Sequence, residues 1–167
     1  MADFDQMITS HIPRLRRYAR ALVNKVDLAD DLVQDCLERA WSRRHLWDEN
    51  QELRPWLFTI MHNIYANAAR RYHRTPTIVS INELDDSQQQ ILESELPLRD
   101  FERSLALLSN DHREVLLLVG LEQLSYQETA EVLNIPLGTV MSRLTRAREK
   151  LKQLMTNLPA PHIRRVK

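Results

Sequence analysis

Ser125-Tyr126-Gln127-Glu128-Thr129-Ala130-Glu131-Val132-Leu133-Asn134-Ile135-Pro136-Leu137-Gly138-Thr139-Val140-Met141-Ser142-Arg143-Leu144-Thr145-Arg146-Ala147-Arg148 is the stretch that decides the fold of this 167-residue chain. Its first four residues spell a capping box. The Ser125 hydroxyl can accept from the backbone N–H of Glu128 while that carboxylate reaches back to the Ser125 N–H. The box predicts a short helix through Leu133. Asn134 to Gly138 breaks the helical pattern, and Thr139 reads as the cap of a second helix. Along that helix Val140, Leu144, Ala147, Leu151 and Leu154 step by 4, 3, 4 and 3, a buried seam of roughly four turns. A short helix, a tight turn and a longer helix make a helix-turn-helix, in which the second helix enters the DNA major groove by its N-terminal end.

The outward face of the second helix carries the chemistry such a reading needs. Thr139 and Ser142 can reach phosphates or base edges, and Arg143 and Arg146 can fork onto guanine O6 and N7. From Arg143 to Lys152 five cations, Arg148 among them, stand against the single acid Glu149. A charge run alone is usually just a solvated face. In register with the capping box, turn and seam, it reads as a phosphate-binding stripe.

Working outward, composition supports helices everywhere. Gly120 and Gly138 are the two glycines, too few for hairpins, Rossmann turns or phosphate-cradling loops. Apolar residues make up 43% and charged residues 28%, enough for a core and a solvated surface. Zero net charge conceals an organisation. Residues 1–74 carry 12 Lys/Arg against 10 Asp/Glu, residues 75–98 none against 5, and residues 99–167 carry 11 against 8. The proline-bracketed acidic middle buries too little apolar surface to offset its ordering entropy and reads as a linker. The expected fold is therefore all-α: two small helical domains, 1–74 and 99–157, joined by a flexible acidic linker at 75–98. A mobile basic tail at 158–167 follows.

In the N-terminal domain Ile12, Leu15, Tyr18, Ala19, Leu22 and Val26 mark one amphipathic helix. Asp27 is a candidate N-cap for a second, whose stripe is Ala29, Leu32, Val33, Cys36, Leu37 and Ala40. Asp31, Gln34, Asp35 and Glu38 form a compact acidic strip on its other side. A third helix starts near Pro55, buries Leu57, Ile60 or Met61, Ile64 and Ala68, and ends in the cationic Arg70 to Arg74. Trp41, Trp56 and Phe58 read as core packing. In the C-terminal domain a helix over Arg99 to Leu108 precedes a cap at Ser109.

Several function classes fall away. The longest apolar stretch, Val115 to Leu121, is far short of the roughly 20 residues that span a bilayer, and the acidic start lacks a secretory pattern, so a cytoplasmic protein with no membrane contact is expected. The lone Cys36 permits no internal disulfide and reads as a buried, inert thiol. Six scattered histidines show no metal-ligand spacing, and no nucleophile elbow or phosphate loop is present, so neither a metal, a cofactor nor an enzymatic activity is expected.

These residues resemble the extracytoplasmic-function (ECF) sigma factors of bacterial RNA polymerase. Asp111 to Val115, Leu124 to Ala130 and Gly138 to Arg148 look like that family's region 4, which reads the promoter −35 element. Ala29 to Trp41 looks like region 2.2, and Pro55 to Asn63 like the start of the segment that melts and reads the −10 element. The resemblance covers nearly all of residues 10–155.

It implies a promoter-selecting subunit with regions 2 and 4 alone. Its partners would be core polymerase, through the β′ clamp helices and the β flap, promoter DNA, and an anti-sigma factor. The clamp-binding role falls on Asp31, Gln34, Asp35 and Glu38. The −35 contacts fall on Thr139, Ser142, Arg143, Arg146 and Arg148. The −10 contacts fall on Trp56, His62, Asn63, Asn67, Arg70 and Arg71, with flipped bases held by stacking and edge hydrogen bonds. From the residues alone a stand-alone helix-turn-helix regulator with an N-terminal partner-binding or dimerisation domain remains the alternative.

Overall fold

The computed structural model describes residues 3–74 and 96–157. Among the described residues seven α-helices follow one another: α1 Phe4–Val23, α2 Val26–Ser42, α3 Leu53–Arg74, α4 Leu96–Ala106, α5 Asn110–Leu116, α6 Tyr126–Leu133 and α7 Leu137–Thr156. A 3₁₀ turn at Arg44–Leu46 joins α2 to the loop before α3, and a π-helical turn at Leu117–Leu121 continues α5. No strand occurs among the described residues. Of the linker expected at 75–98, residues 75–95 lie outside them, as does the tail at 158–167, while residues 96–98 open α4, which begins at Leu96.

The helices form where the apolar periodicity predicts them, and their stripes face inward. Leu15, Tyr18, Ala19 and Leu22 of α1, Ala29, Leu32, Val33, Cys36 and Ala40 of α2, and Leu57, Phe58 and Met61 of α3 are buried. Tyr18 meets Phe58 edge to face at 5.0 Å between ring centroids, the arrangement that the ring quadrupoles favour. In the C-terminal region α5 and α6 both pack on α7, whose seam residues Val140, Leu144 and Ala147 are buried, with Leu151 and Leu154 half-buried.

Three local readings are corrected. Val26 does not extend α1. Asn24 adopts left-handed backbone (φ 52°), its N–H caps the carbonyl of Arg20, and Val26 opens α2 with 58% of its surface exposed. Neither Asp27 nor Thr139 is an N-cap. Those positions fall to Lys25 and Pro136, both in extended backbone and without a side-chain cap, so Asp27 and Thr139 sit inside the first turns. Trp41 is not core. It lies at the last turn of α2, 45% exposed, with the Arg44 guanidinium 4.8 Å above its ring. By contrast, Ser109 accepts from the His112 N–H, and both halves of the Ser125/Glu128 box are made.

The two helical regions also touch. α3 packs against α6, and α1 packs against α4 and the π-helical turn. Buried residues of both regions join one apolar cluster.

Candidate nucleic-acid interface

The turn between α6 and α7 sets the aim of α7. Asn134 takes left-handed backbone (φ 51°), which small polar residues tolerate, and the Ile135 N–H returns to the Ala130 carbonyl at 3.0 Å. The chain can then restart a helix at Leu137 and pack its buried seam on α6, whose Ala130, Val132 and Leu133 are buried as well. The side opposite that seam stays open: Ser142, Arg146 and Arg148 are exposed, and Thr139 is half-buried. Ser142 Oγ donates to the Thr139 carbonyl at 3.2 Å. Arg143 is half-buried, and its Nη2 lies 3.5 Å from Asp111 Oδ2 of α5, which holds the guanidinium near the N-terminal half of α7. The first-turn N–H groups and positive dipole end of a 20-residue helix add to the attraction for phosphate.

Gly138, second in α7, is exposed, and an added Cβ would meet nothing within 4 Å. Packing therefore does not require glycine there. A glycine in a helix costs about 0.5–1 kcal/mol relative to alanine, so its presence suits a site where another backbone comes close.

In the N-terminal region the acidic strip of α2 is free of the core. Asp31, Gln34, Asp35 and Glu38 are all exposed, and Gln34 Nε2 donates to Glu38 Oε1 at 3.1 Å. Behind them Cys36 is fully buried, and burial pushes its thiol up to about 12. The strip is thus a ridge: one face of α2 is locked in the core, and the other presents exposed acids.

The −10 residues divide. Asn63, Asn67, Arg70 and Arg71, spaced 4, 3 and 1 apart, are exposed along one side of α3. Amides and guanidinium groups in such a row can pair with base edges and phosphates. Trp56 is half-buried and packs against the core. His62 is turned away from that row: its side chain is 17% exposed, and its Nδ1 lies 2.7 Å from Glu114 Oε1 of α5.

Three residues that organise this region had no role assigned from the sequence. Arg113 of α5 donates to four carbonyls, those of Leu105, Ala106 and Leu108 after α4 and that of Leu22 at the end of α1, at 2.7 to 3.0 Å. It closes the C-terminal ends of two helices, where carbonyls have no partner in the helix and cations are favoured. Glu114 faces His62, and fully buried Glu122 accepts from Arg17 Nη2 at 2.9 Å. The signal was there: Glu114 and Glu122 flank the longest apolar stretch of the chain, where a carboxylate is expected to need a partner.

Two family models match the chain: Sigma2 domain of PhyR over residues 8–62, and Sigma-70, region 4 over residues 98–151. The chain is 34% identical to the ECF RNA polymerase sigma factor EcfG of Rhodopseudomonas palustris, over 89% of this chain and 82% of that one. Its fold is similar to the sigma factor RpoE, solved in complex with the anti-sigma factor NepR from Bartonella quintana. That match has a TM-score of 0.75 and 32% identity, covering 95% of this chain and 100% of that chain. It is similar too to CnrH, solved in complex with the cytosolic domain of CnrY, with a TM-score of 0.69 and 28% identity over 93% and 89% of the two chains.

Proposed function

The chain belongs to the ECF sigma factors of bacterial RNA polymerase, and on that premise we propose how its residues share the work of promoter recognition and transcription initiation. Residues 1–74 act as region 2, residues 96–157 as region 4, and the acidic residues 75–95 as the tether between them. Asp31, Gln34, Asp35 and Glu38 hold the β′ clamp helices of core polymerase. Region 4 meets the β flap and lays α7 in the major groove of the −35 element, where Arg143 and Arg146 read bases and Thr139, Ser142 and Arg148 fix the register on phosphates. On the −10 side, Asn63 and Asn67 pair with the edges of extruded bases, Arg70 and Arg71 hold the strand, and Trp56 and His62 line the inner wall. The protein works in the cytoplasm and catalyses nothing itself, since the polymerase supplies the chemistry.

The observation that carries this reading is one of charge. A single chain presents an exposed acidic ridge on α2 and an exposed cationic face on α7, each backed by a buried apolar stripe. Such a pair suits a subunit held by a protein on one side and by DNA on the other.

Control by an anti-sigma factor fits the groove between α1 and α4. The groove has a volume of about 1040 Å³, with Leu98, Phe101 and Leu105 on its apolar side and the exposed cations Arg16, Arg20 and Lys25 along α1 and its end. An amphipathic helix with acidic flanks matches both surfaces. Seated there it would touch both regions at once.

Charge reversal separates the two contacts. Asp35→Arg with Glu38→Arg is expected to weaken binding to core polymerase at least tenfold while leaving the affinity of region 4 for −35 duplex unchanged, as read by fluorescence anisotropy. Unchanged polymerase binding would remove α2 from the interface. The stand-alone regulator reading instead requires tight binding to a palindromic duplex without polymerase.

A further inference from the structure

Two lines of residues cover the exposed half of α7. One begins with Ser142 and Arg146, the polar groups already placed toward DNA. The other is Met141, Thr145, Arg148 and Lys152, all four exposed. Their steps of 4, 3 and 4 keep them on one side of a helix with 3.6 residues per turn, and each follows a residue of the buried seam.

This second line changes character along its length. Its C-terminal half is cationic and its N-terminal half is apolar. Met141 is 48% exposed. Thr145 Oγ1 donates to the Met141 carbonyl at 3.0 Å, which commits the hydroxyl proton inside the helix and leaves the γ-methyl as the group Thr145 adds to the surface. Gly138, three residues before Met141, adds no side chain, and nothing lies within 4 Å of where its Cβ would stand. Leu137 is exposed as well, but it borders a shallow hollow with Ala130 and Ile135 at the turn. A single exposed apolar side chain needs no explanation. Two methyl-ended side chains one turn apart, beside Ser142 and Arg146 in the half of the helix that enters the groove, need one.

We propose that Met141 and Thr145 read thymine in the −35 element, by packing on the C5-methyl group that thymine alone among the four bases presents in the major groove. The proposal rests on the sigma-factor reading, which lays α7 in that groove. It adds residues that discriminate by apolar contact to arginines that discriminate by hydrogen bonds. A side chain without a polar end gains by covering the methyl and has nothing to give the amino groups and oxygens that the other bases present there. Met141 suits this contact by its unbranched length and three rotatable bonds, which let its thioether end settle on a methyl group. Arg148 and Lys152 lie further along the same line, where a helix that enters by its N-terminal end meets the phosphates at the groove rim. The line thus sets its apolar end on bases and its charged end on the backbone.

The test uses the holoenzyme, core polymerase with this chain, on a promoter that it transcribes. Each thymine of the −35 element, on either strand, is replaced in turn by deoxyuridine, which keeps base pairing and removes one methyl. Promoter affinity is read by fluorescence anisotropy. The wild type is expected to bind about three- to fivefold less tightly when one or two of these thymines are replaced, the effect of one methyl group returned to water. Met141→Gln keeps length and helix propensity but ends in an amide, and Thr145→Ser keeps the hydroxyl and drops the methyl. Each is expected to bind the thymine promoter about three- to fivefold less tightly and to be indifferent to uracil at one position, while Met141→Leu retains the wild-type preference. Equal affinity for thymine and uracil at every position would overturn the proposal, as would uracil losses that persist unchanged in Met141→Gln and Thr145→Ser. Weaker binding of Met141→Gln to core polymerase without DNA would overturn it too, by assigning the line to the polymerase. A holoenzyme whose promoter affinity ignores scrambling of the whole −35 element would instead overturn the sigma-factor reading.

Discussion

At the scale of single residues, α7 separates discrimination from attraction. Arg143 is oriented by Asp111 at 3.5 Å, whereas Arg146 and Arg148 are exposed on the same helix. A guanidinium held in place can lose little more freedom on forking to a guanine, so its contribution is specific, about 1–3 kcal/mol against a wrong base. Arg143→Ala is expected to reduce use of promoters carrying one −35 base more than others, measured across a panel of −35 variants; equal loss on all of them would make Arg143 a phosphate contact. Gly138 gives a second residue-scale test. With open space around its missing Cβ, Gly138→Ala is expected to raise the stability of region 4 by about 0.5–1 kcal/mol while weakening −35 duplex binding. Gain of stability with undiminished binding would show that no DNA backbone comes near that position.

At the scale of elements, Arg113 ties the ends of two helices to α5. Four carbonyls at the ends of α1 and α4 depend on its guanidinium, and its burial lowers its pKa, an effect that Tyr65 and Glu114 oppose. Arg113→Ala leaves those carbonyls without their donor and is expected to cost about 2–4 kcal/mol in chemical denaturation. Arg113→Lys, which cannot fork, recovers part of that; full recovery would mean that charge rather than geometry matters there.

Elements are also where legibility varied most. The Ser125/Glu128 box was readable because both groups lie within one turn, and the seam of α7 because five apolar residues repeat at helical spacing. Asp27 and Thr139 misled because a polar residue near a helix start resembles a cap even where the chain enters from an extended Lys25 or Pro136. Trp41 misled because size and hydrophobicity suggest burial, while its place at the end of α2 leaves one ring face to Arg44. Of the candidate −10 residues, the row exposed on α3 was named by the family resemblance and not by spacing, and the inward turn of His62 depends on Glu114, a partner 52 residues away that no local pattern announces.

At the scale of the whole molecule, α2 and α7 carry exposed faces of opposite charge, and the two regions they belong to pack on each other. The ridge of α2 remains outside the merged core, so the packed body still presents Asp31, Gln34, Asp35 and Glu38.

Promoter selection is read most directly by run-off transcription with purified core polymerase on a linear template that bears −10 and −35 elements suited to this chain. Full-length product is expected from core plus this protein, none from core alone, and loss of product when either element is scrambled. Transcript independent of the protein, or repression by the protein binding duplex DNA in the absence of polymerase, would contradict it.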